Sequence, residues 1–287
     1  MATPSDLSAT GQALADEIRQ QLSGGNIEVP LLPEVASRVI ALSQDSESEI
    51  SDLAQLVQSD PSLAAHVMRI ANSAAYSPNA SLISLQQAIT RLGMNLICDI
   101  AVAASISTKM FKAPGYENRI NQIWKHALAT ALWAKEIART CRLNVEATFL
   151  CGLLHSIGRP VTIQGVCDIA KRGNTSVSDE DARALEESLN IEVGNCVLQS
   201  WGMPVIICEA LLHLNDYHAA PHAVEQTMIV NASAQFATHM LDDEQLSRDD
   251  LIAREVLADL NLYQDEVEKL LEKRDDIVSS MEAMSDS

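Results

Sequence analysis

The sequence predicts an all-α protein, and three observations predict it. Aromatic residues make up 3% of a chain that is 47% hydrophobic, so its core must be built from Leu, Ile, Val and Ala. That composition favours helices over strands. Helix-start chemistry recurs: Asp60-Pro61, Ser84 with Gln87, Ser178 with Asp181, and Ser247 with Asp250 each set a capping side chain before an apolar run. No stretch alternates convincingly as a half-buried strand would.

At 287 residues the chain is one large domain or two small ones, long enough to bury a substantial core. Its formal net charge of −19 repels nucleic acid and anionic membrane surfaces, and no Lys/Arg cluster offsets it. The six cysteines, Cys98, Cys141, Cys151, Cys167, Cys196 and Cys208, are scattered in apolar contexts without a C-x-x-C pair. They read as reduced core residues, not as a zinc or disulfide framework. No apolar run approaches a membrane span and the N-terminus has no signal-sequence pattern, so the expectation is a soluble cytoplasmic protein.

In chain order, Leu14, Ile18 and Leu22 space an amphipathic helix over residues 7 to 22, ended by Gly24-Gly25. Pro30 and Pro33 bracket an extended piece before a helix bearing Val35, Val39 and Leu42. Ser46 with Glu49 is a candidate capping box before Leu53, Leu56 and Val57. Asp60-Pro61 opens the next helix, with Leu63, Val67, Met68 and Ile70, and Ser84 another, through Ile89 and Leu92 to Gly93. Residues 95 to 110 read as a nearly all-apolar buried helix. Beyond Pro114-Gly115, Trp124, Leu128, Ala131, Ala134 and Ala138 form a stripe with His126 to one side of it. Phe149 to Ile157 reads as a buried helix that carries His155 and stops at Gly158, with Pro160 just beyond. Ser178 opens a helix with Leu185 and Leu189, Ile191 to Trp201 forms another, and Gly202-Met203-Pro204 restarts the chain into His213. Pro221 starts the helix containing Met228, Val230 and Phe236.

Residues 241 to 287 hold fifteen acidic and five basic residues, a net −10 that is about half of the chain's charge. Two helices with a solvated acidic face are expected there, packed on the preceding part through Val267, Leu270, Leu271, Ile277 and Val278. Ser279 to Ser287 is expected to fray.

The order and spacing of Leu32-Pro33-Glu34-Val35-Ala36, Asp60-Pro61-Ser62-Leu63, Ala71-Asn72-Ser73-Ala74 with Tyr76, Ile83-Ser84, Gln87-Ala88-Ile89 and Leu92-Gly93 resemble the N-terminal half of the HDOD family, the HD-related output domains of bacterial signalling proteins. Val193-Gly194 and Trp201-Gly202-Met203-Pro204 resemble its second half. The resemblance implies a two-lobed module at residues 26–240, with a small helical lobe at 26–112 and an HD-like lobe at 120–240. A helix at 1–25 and the acidic helices at 241–287 flank it. At Asn72 and Ser73 the ordinary role is to satisfy backbone groups at a helix end.

Phe149-Leu-Cys-Gly-Leu-Leu-His-Ser-Ile-Gly-Arg-Pro160 resembles the central motif of the HD superfamily of metal-dependent phosphohydrolases, in which an Asp follows the His. In that superfamily a His, a His-Asp pair and a later Asp hold a divalent ion whose bound water attacks phosphorus. Residue by residue, His126 matches the first His and His155 the second; Ser156 stands for the first Asp and Ser233 for the last. Asn190 stands where family members often carry a His, and only His213 is left of a later His-His pair. Loss of both carboxylates removes the charge that offsets a dication, so no resident metal or cofactor and no catalytic residue is expected. A zinc-like ion on His126, His155 and His213 is the alternative. Otherwise each His is a core group bonded to a neighbour, and His218, His222 and His239 are surface residues. Cys151 shares a helical face with His155 but reads as buried among leucines, which argues against a nucleophile.

The resemblance therefore implies a non-catalytic regulatory protein in bacterial signal transduction. It would act through a signalling protein partner or a small ligand in the vestigial site, with room for a homodimer. The alternative is a metal-dependent phosphohydrolase acting on a nucleotide or cyclic dinucleotide.

Overall fold

The computed structural model describes residues 7–45, 47–77, 82–106 and 110–285, and every described element is helical or irregular. The first helix, α1 (Ala9–Ser23), starts where Ser8 accepts the Gly11 N–H, and Gly25 turns the chain at a positive φ. α2 (Glu34–Gln44), α3 (Ile50–Gln58), α4 (Pro61–Ala71), α5 (Leu85–Leu92) and α6 (Met94–Ser105) pack on one another as the smaller lobe. The larger lobe consists of α7 (Glu117–Cys141), α8 (Val145–Leu154), α9 (Gly158–Gly173), α10 (Asp179–Ser188), α11 (Asn190–Ser200), α12 (Val205–Leu212) and α13 (Val224–Leu241). Four further helices follow: α14 (Arg248–Ile252), α15 (Glu255–Asp259), α16 (Gln264–Leu271) and α17 (Arg274–Ser285). Among the described residues no single helix is long and apolar enough to cross a membrane.

The flanking helices tie the lobes together in ways their sequences did not announce. α1 packs chiefly on α9 and α10 of the larger lobe, although the smaller lobe follows it in sequence. There Asp181 accepts from the Ser8 N–H at 2.9 Å and the Ser8 hydroxyl at 2.7 Å. The Trp201 indole N–H donates to the Pro30 carbonyl at 2.7 Å, fixing the extended piece against the end of α11. α17 touches both α6 and α7, so the tail bridges the lobes where packing on the second alone was expected. It is helical to Ser285 with Met281 and Met284 buried, so fraying from Ser279 is corrected: apolar anchors hold the final turns.

Other boundaries moved for local reasons. Ser46 lies outside the described residues; the capping box of α3 is formed by Glu49 and Asp52. α6 ends at Ser105, well short of residue 110. α13 starts at Val224 instead of Pro221, and the two residues before it, His222 and Ala223, give their N–H groups to the Glu209 carboxylate at 2.8 and 2.9 Å. Asn72 does satisfy backbone groups, donating to Met68 and Leu82 and accepting from the Leu82 N–H, whereas the buried Ser73 hydroxyl has no partner.

The lobe junction carries a buried ion pair. Lys135 on α7 donates to Asp99 on α6, with side chains 11% and 13% exposed, and the Lys135 ammonium lies 5.5 Å from the Phe149 ring centroid. Removing one charge strands the other in a poorly solvated place. Asp99→Asn is expected to cost about 3 kcal/mol in chemical denaturation, whereas Asp99→Leu with Lys135→Met costs within about 1 kcal/mol of nothing. A single variant as stable as wild type would show the junction to be open to water.

Candidate functional site

Two glycines let the helices approach closely enough to build the site. A Cβ on Gly152 would lie 2.8 Å from Ala131 Cα, so α8 lies directly on the backbone of α7. His155, one turn on from Gly152, is thereby brought to His126, and the ring centroids are 5.6 Å apart. A Cβ on Gly158 would lie 2.1 Å from the Asn190 carbonyl oxygen and 2.6 Å from the Gly194 nitrogen, so α9 crosses α11 at backbone contact. Gly158 is therefore not the stop signal expected of it: α8 ends at Leu154, and Gly158 begins α9. Pro160 falls in the first turn of α9, where its missing N–H costs nothing.

Hydrogen bonds fix both tautomers. His155 Nδ1 lies 2.6 Å from the Gly152 carbonyl, which only accepts, so Nδ1 carries the proton and Nε2 holds the lone pair. The Thr238 hydroxyl donates to the Ala234 carbonyl at 2.9 Å, so at 3.0 Å it accepts from His126 Nε2–H. The lone pair of His126 is thus on Nδ1, which is buried and without a partner. Burial, reinforced by the Arg159 charge, lowers the His126 pKa to about 4; burial, then the neighbouring His126, lowers that of His155 to about 3. Both rings are neutral near pH 7, with two lone pairs available.

What surrounds them is not a carboxylate set. Ser156 is 3% exposed and borders an apolar cavity of about 10 Å3, lined also by Phe111, Trp124, Leu153 and Pro160. Ser233 is fully buried and its hydroxyl donates to the Ile229 carbonyl at 2.6 Å, the usual back-bond of a helical Ser. Asn190 donates from Nδ2 to the His155 carbonyl at 3.1 Å, which leaves Oδ1 buried and unpartnered. His213 caps the end of α12, and among the described residues no three His, Cys, Asp or Glu side chains gather as a metal-ligating group. The ligand set His126, His155 and His213 therefore does not assemble. His218 and His222 are exposed and paired with Asp259 and Glu209; His239 is half-buried against the Leu246 carbonyl.

A cluster that motif reading passed over lies beside the pair. Glu186, 1% exposed, accepts from Arg119 through Nε at 3.0 Å and through a second guanidinium nitrogen, and from Arg159 at 2.7 Å. Arg119 and Arg159 remain 29% and 24% exposed. Glu186 sits in an acidic run that reads as solvated surface; its helical register, one residue before exposed Glu187, was the available signal. An implied divalent ion does not fit these residues. Two neutral imidazoles supply no offsetting charge, and the one carboxylate in the cluster is committed to two arginines.

The comparisons with known proteins agree on fold. An HDOD domain protein of unknown function from Geobacter sulfurreducens superposes with a TM-score of 0.73 at 23% identity, over 96% of this chain and 98% of that one. A Shewanella amazonensis SB2B structure, named for a proposed metal-dependent phosphohydrolase, gives 0.70 at 19% identity over 97% and 99%. A proposed signal transduction protein from Marinobacter aquaeolei VT8 gives 0.69 at 23%, over 96% of this chain and 66% of that one. An uncharacterized Treponema pallidum (strain Nichols) protein is 21% identical over 223 residues, 73% of this chain and 41% of its own length. The chain thus spans less than half of that curated relative. Residues 29–217 match the HDOD domain, most of both lobes, and the chain belongs to the HDOD family.

Proposed function

We propose that this protein is a non-catalytic regulatory module of signal transduction, which works through a protein partner or a small ligand at the His126–His155 site. The observation that carries this reading is the donor set: two neutral imidazoles, with serines at both carboxylate positions and Glu186 held by Arg119 and Arg159. A hydrolytic metal water needs a retained ion, an open coordination position and acceptors that orient the attack. The Ser156 and Ser233 hydroxyls are neutral, and Ser233 is already engaged in its own helix. The likeness to a protein named for signal transduction supports the same reading.

The test is turnover. Wild type reconstituted with manganese, magnesium, zinc or iron is expected to hydrolyse no phosphomonoester, nucleotide or cyclic dinucleotide above the rate of a His155→Ala variant. Turnover in wild type that disappears in His155→Ala would establish the alternative, a metal-dependent phosphohydrolase.

A further inference from the structure

Eight large hydrophobic side chains are exposed among the described residues, and four of them belong to α12 and the segment held beside its start. Val205, Ile206 and Leu212 lie on the helix itself, Val205 with 63% of its surface bare. Leu31, 90% exposed, follows Pro30, whose carbonyl takes the Trp201 indole N–H at the end of α11. On its inner side α12 packs on α8, α11 and α13. Val205, half-buried Cys208 and Leu212 recur at i, i+3 and i+7, so they share one outer stripe. Hydrophobic residues exposed singly need no explanation, whereas a gathered set marks an interaction surface.

The patch is also uncharged. From Val193 to Asn215, Glu209 is the only Asp, Glu, Lys or Arg, in a chain where such residues make up 21%. The Glu209 carboxylate is buried and accepts from the His222 and Ala223 N–H groups and from the His222 ring. The outer stripe of α12 thus shows water no charged side chain of its own. That selects the occupant. Copies of a chain of net charge −19 repel one another, so they meet best at a face that carries none of that charge. A basic partner gains nothing at such a face and is drawn to the acidic ones instead. The stripe also complements itself, because it is apolar at both ends. A second copy related by a two-fold axis sets Val205 against Leu212 and Leu212 against Val205.

We propose that this face joins two copies of the chain, with α12 antiparallel to its counterpart and Leu31 at the margin. The proposal is independent of the reading of the histidine site.

The test is sedimentation of the full chain over about 1 to 100 µM, where a specific dimer of ordinary affinity assembles. Wild type is expected to sediment as a dimer. Val205→Glu and Leu212→Lys, each at an exposed position where its charge suits the helix end, are each expected to weaken the dimer at least about tenfold. Circular dichroism checks that both variants are folded. Ile50→Glu is the control: Ile50 is exposed beyond the far end of α2 from Leu31, and its variant is expected to dimerise as wild type does. Mixing the two weakened variants gives the decisive result. In the antiparallel pair Glu at one position faces Lys at the other, so the mixture is expected to dimerise at least about tenfold more tightly than either variant alone. A mixture no tighter than its components overturns the proposal. Wild type that stays monomeric to the highest concentration overturns it, and so does a dimer indifferent to Val205→Glu and Leu212→Lys or equally weakened by Ile50→Glu. None of these outcomes bears on turnover, so the regulatory reading stands or falls separately.

Discussion

Gly158→Ala is expected to destabilise the protein by about 4 kcal/mol or more and to lower its melting temperature by roughly 10 °C. The new methyl would stand 2.1 Å from the Asn190 carbonyl oxygen and 2.6 Å from the Gly194 nitrogen, and both obstacles are backbone. A side chain rotates out of the way cheaply; a helix has to move as a body. Separating α9 from α11 would also strain the bond from Asn190 to the His155 carbonyl. Gly165, two turns further along α9, is the control, because an added Cβ there meets nothing within 4 Å. Gly165→Ala should gain about 0.5–1 kcal/mol from helix propensity alone. Denaturant midpoints of the two variants, measured side by side, decide the matter. A Gly158→Ala protein as stable as wild type would mean that α9 and α11 do not cross at this point.

That pair of glycines also shows what was legible in the sequence and what was not. Helix starts could be read because a cap is local: Ser84, Ser178 and Ser247 each accept the N–H three residues on, as their spacing implied. The pairing of His126 with His155 was reachable through the family resemblance, and the structure brings the two rings together. Gly158 was misread because a glycine before a proline is the ordinary end of a helix, while its actual role depends on Asn190 and Gly194, more than 30 residues away. Glu186 was easily passed over for a related reason. Its helical register sets it apart from exposed Glu187, but only the tertiary structure shows the two arginines that it gathers. The tail showed its periodicity but not its destination, since α17 reaches back to α6 across most of the chain. Sequence-local physics was readable; what is set by which helices meet was readable only where the family resemblance supplied it.

The same burial that hides the histidines should make stability fall steeply with acid. Unfolded, each His titrates near its ordinary value of about 6.5. Folded, burial and the Arg159 charge hold His126 at about 4, and burial and His126 hold His155 at about 3. Because the folded values lie below the unfolded ones, the unfolded chain binds more protons throughout the interval between them. The stabilisation is therefore complete above the unfolded value and is lost progressively as the pH falls toward the folded ones. With both rings contributing, the slope approaches about 2.7 kcal/mol per pH unit around pH 5. Glu209 and Asp181, whose hydrogen bonds depress their pKa values, begin to lose their contributions as the pH falls through the ordinary carboxylate range, so the histidine slope is read above that range. Urea denaturation at intervals between about pH 7 and 4.5 reads the slope, and His126→Phe should reduce it by about half. A flat profile across this window would show that the native state already carries a proton on the pair. The lone pairs on which the site's chemistry depends would then not be free.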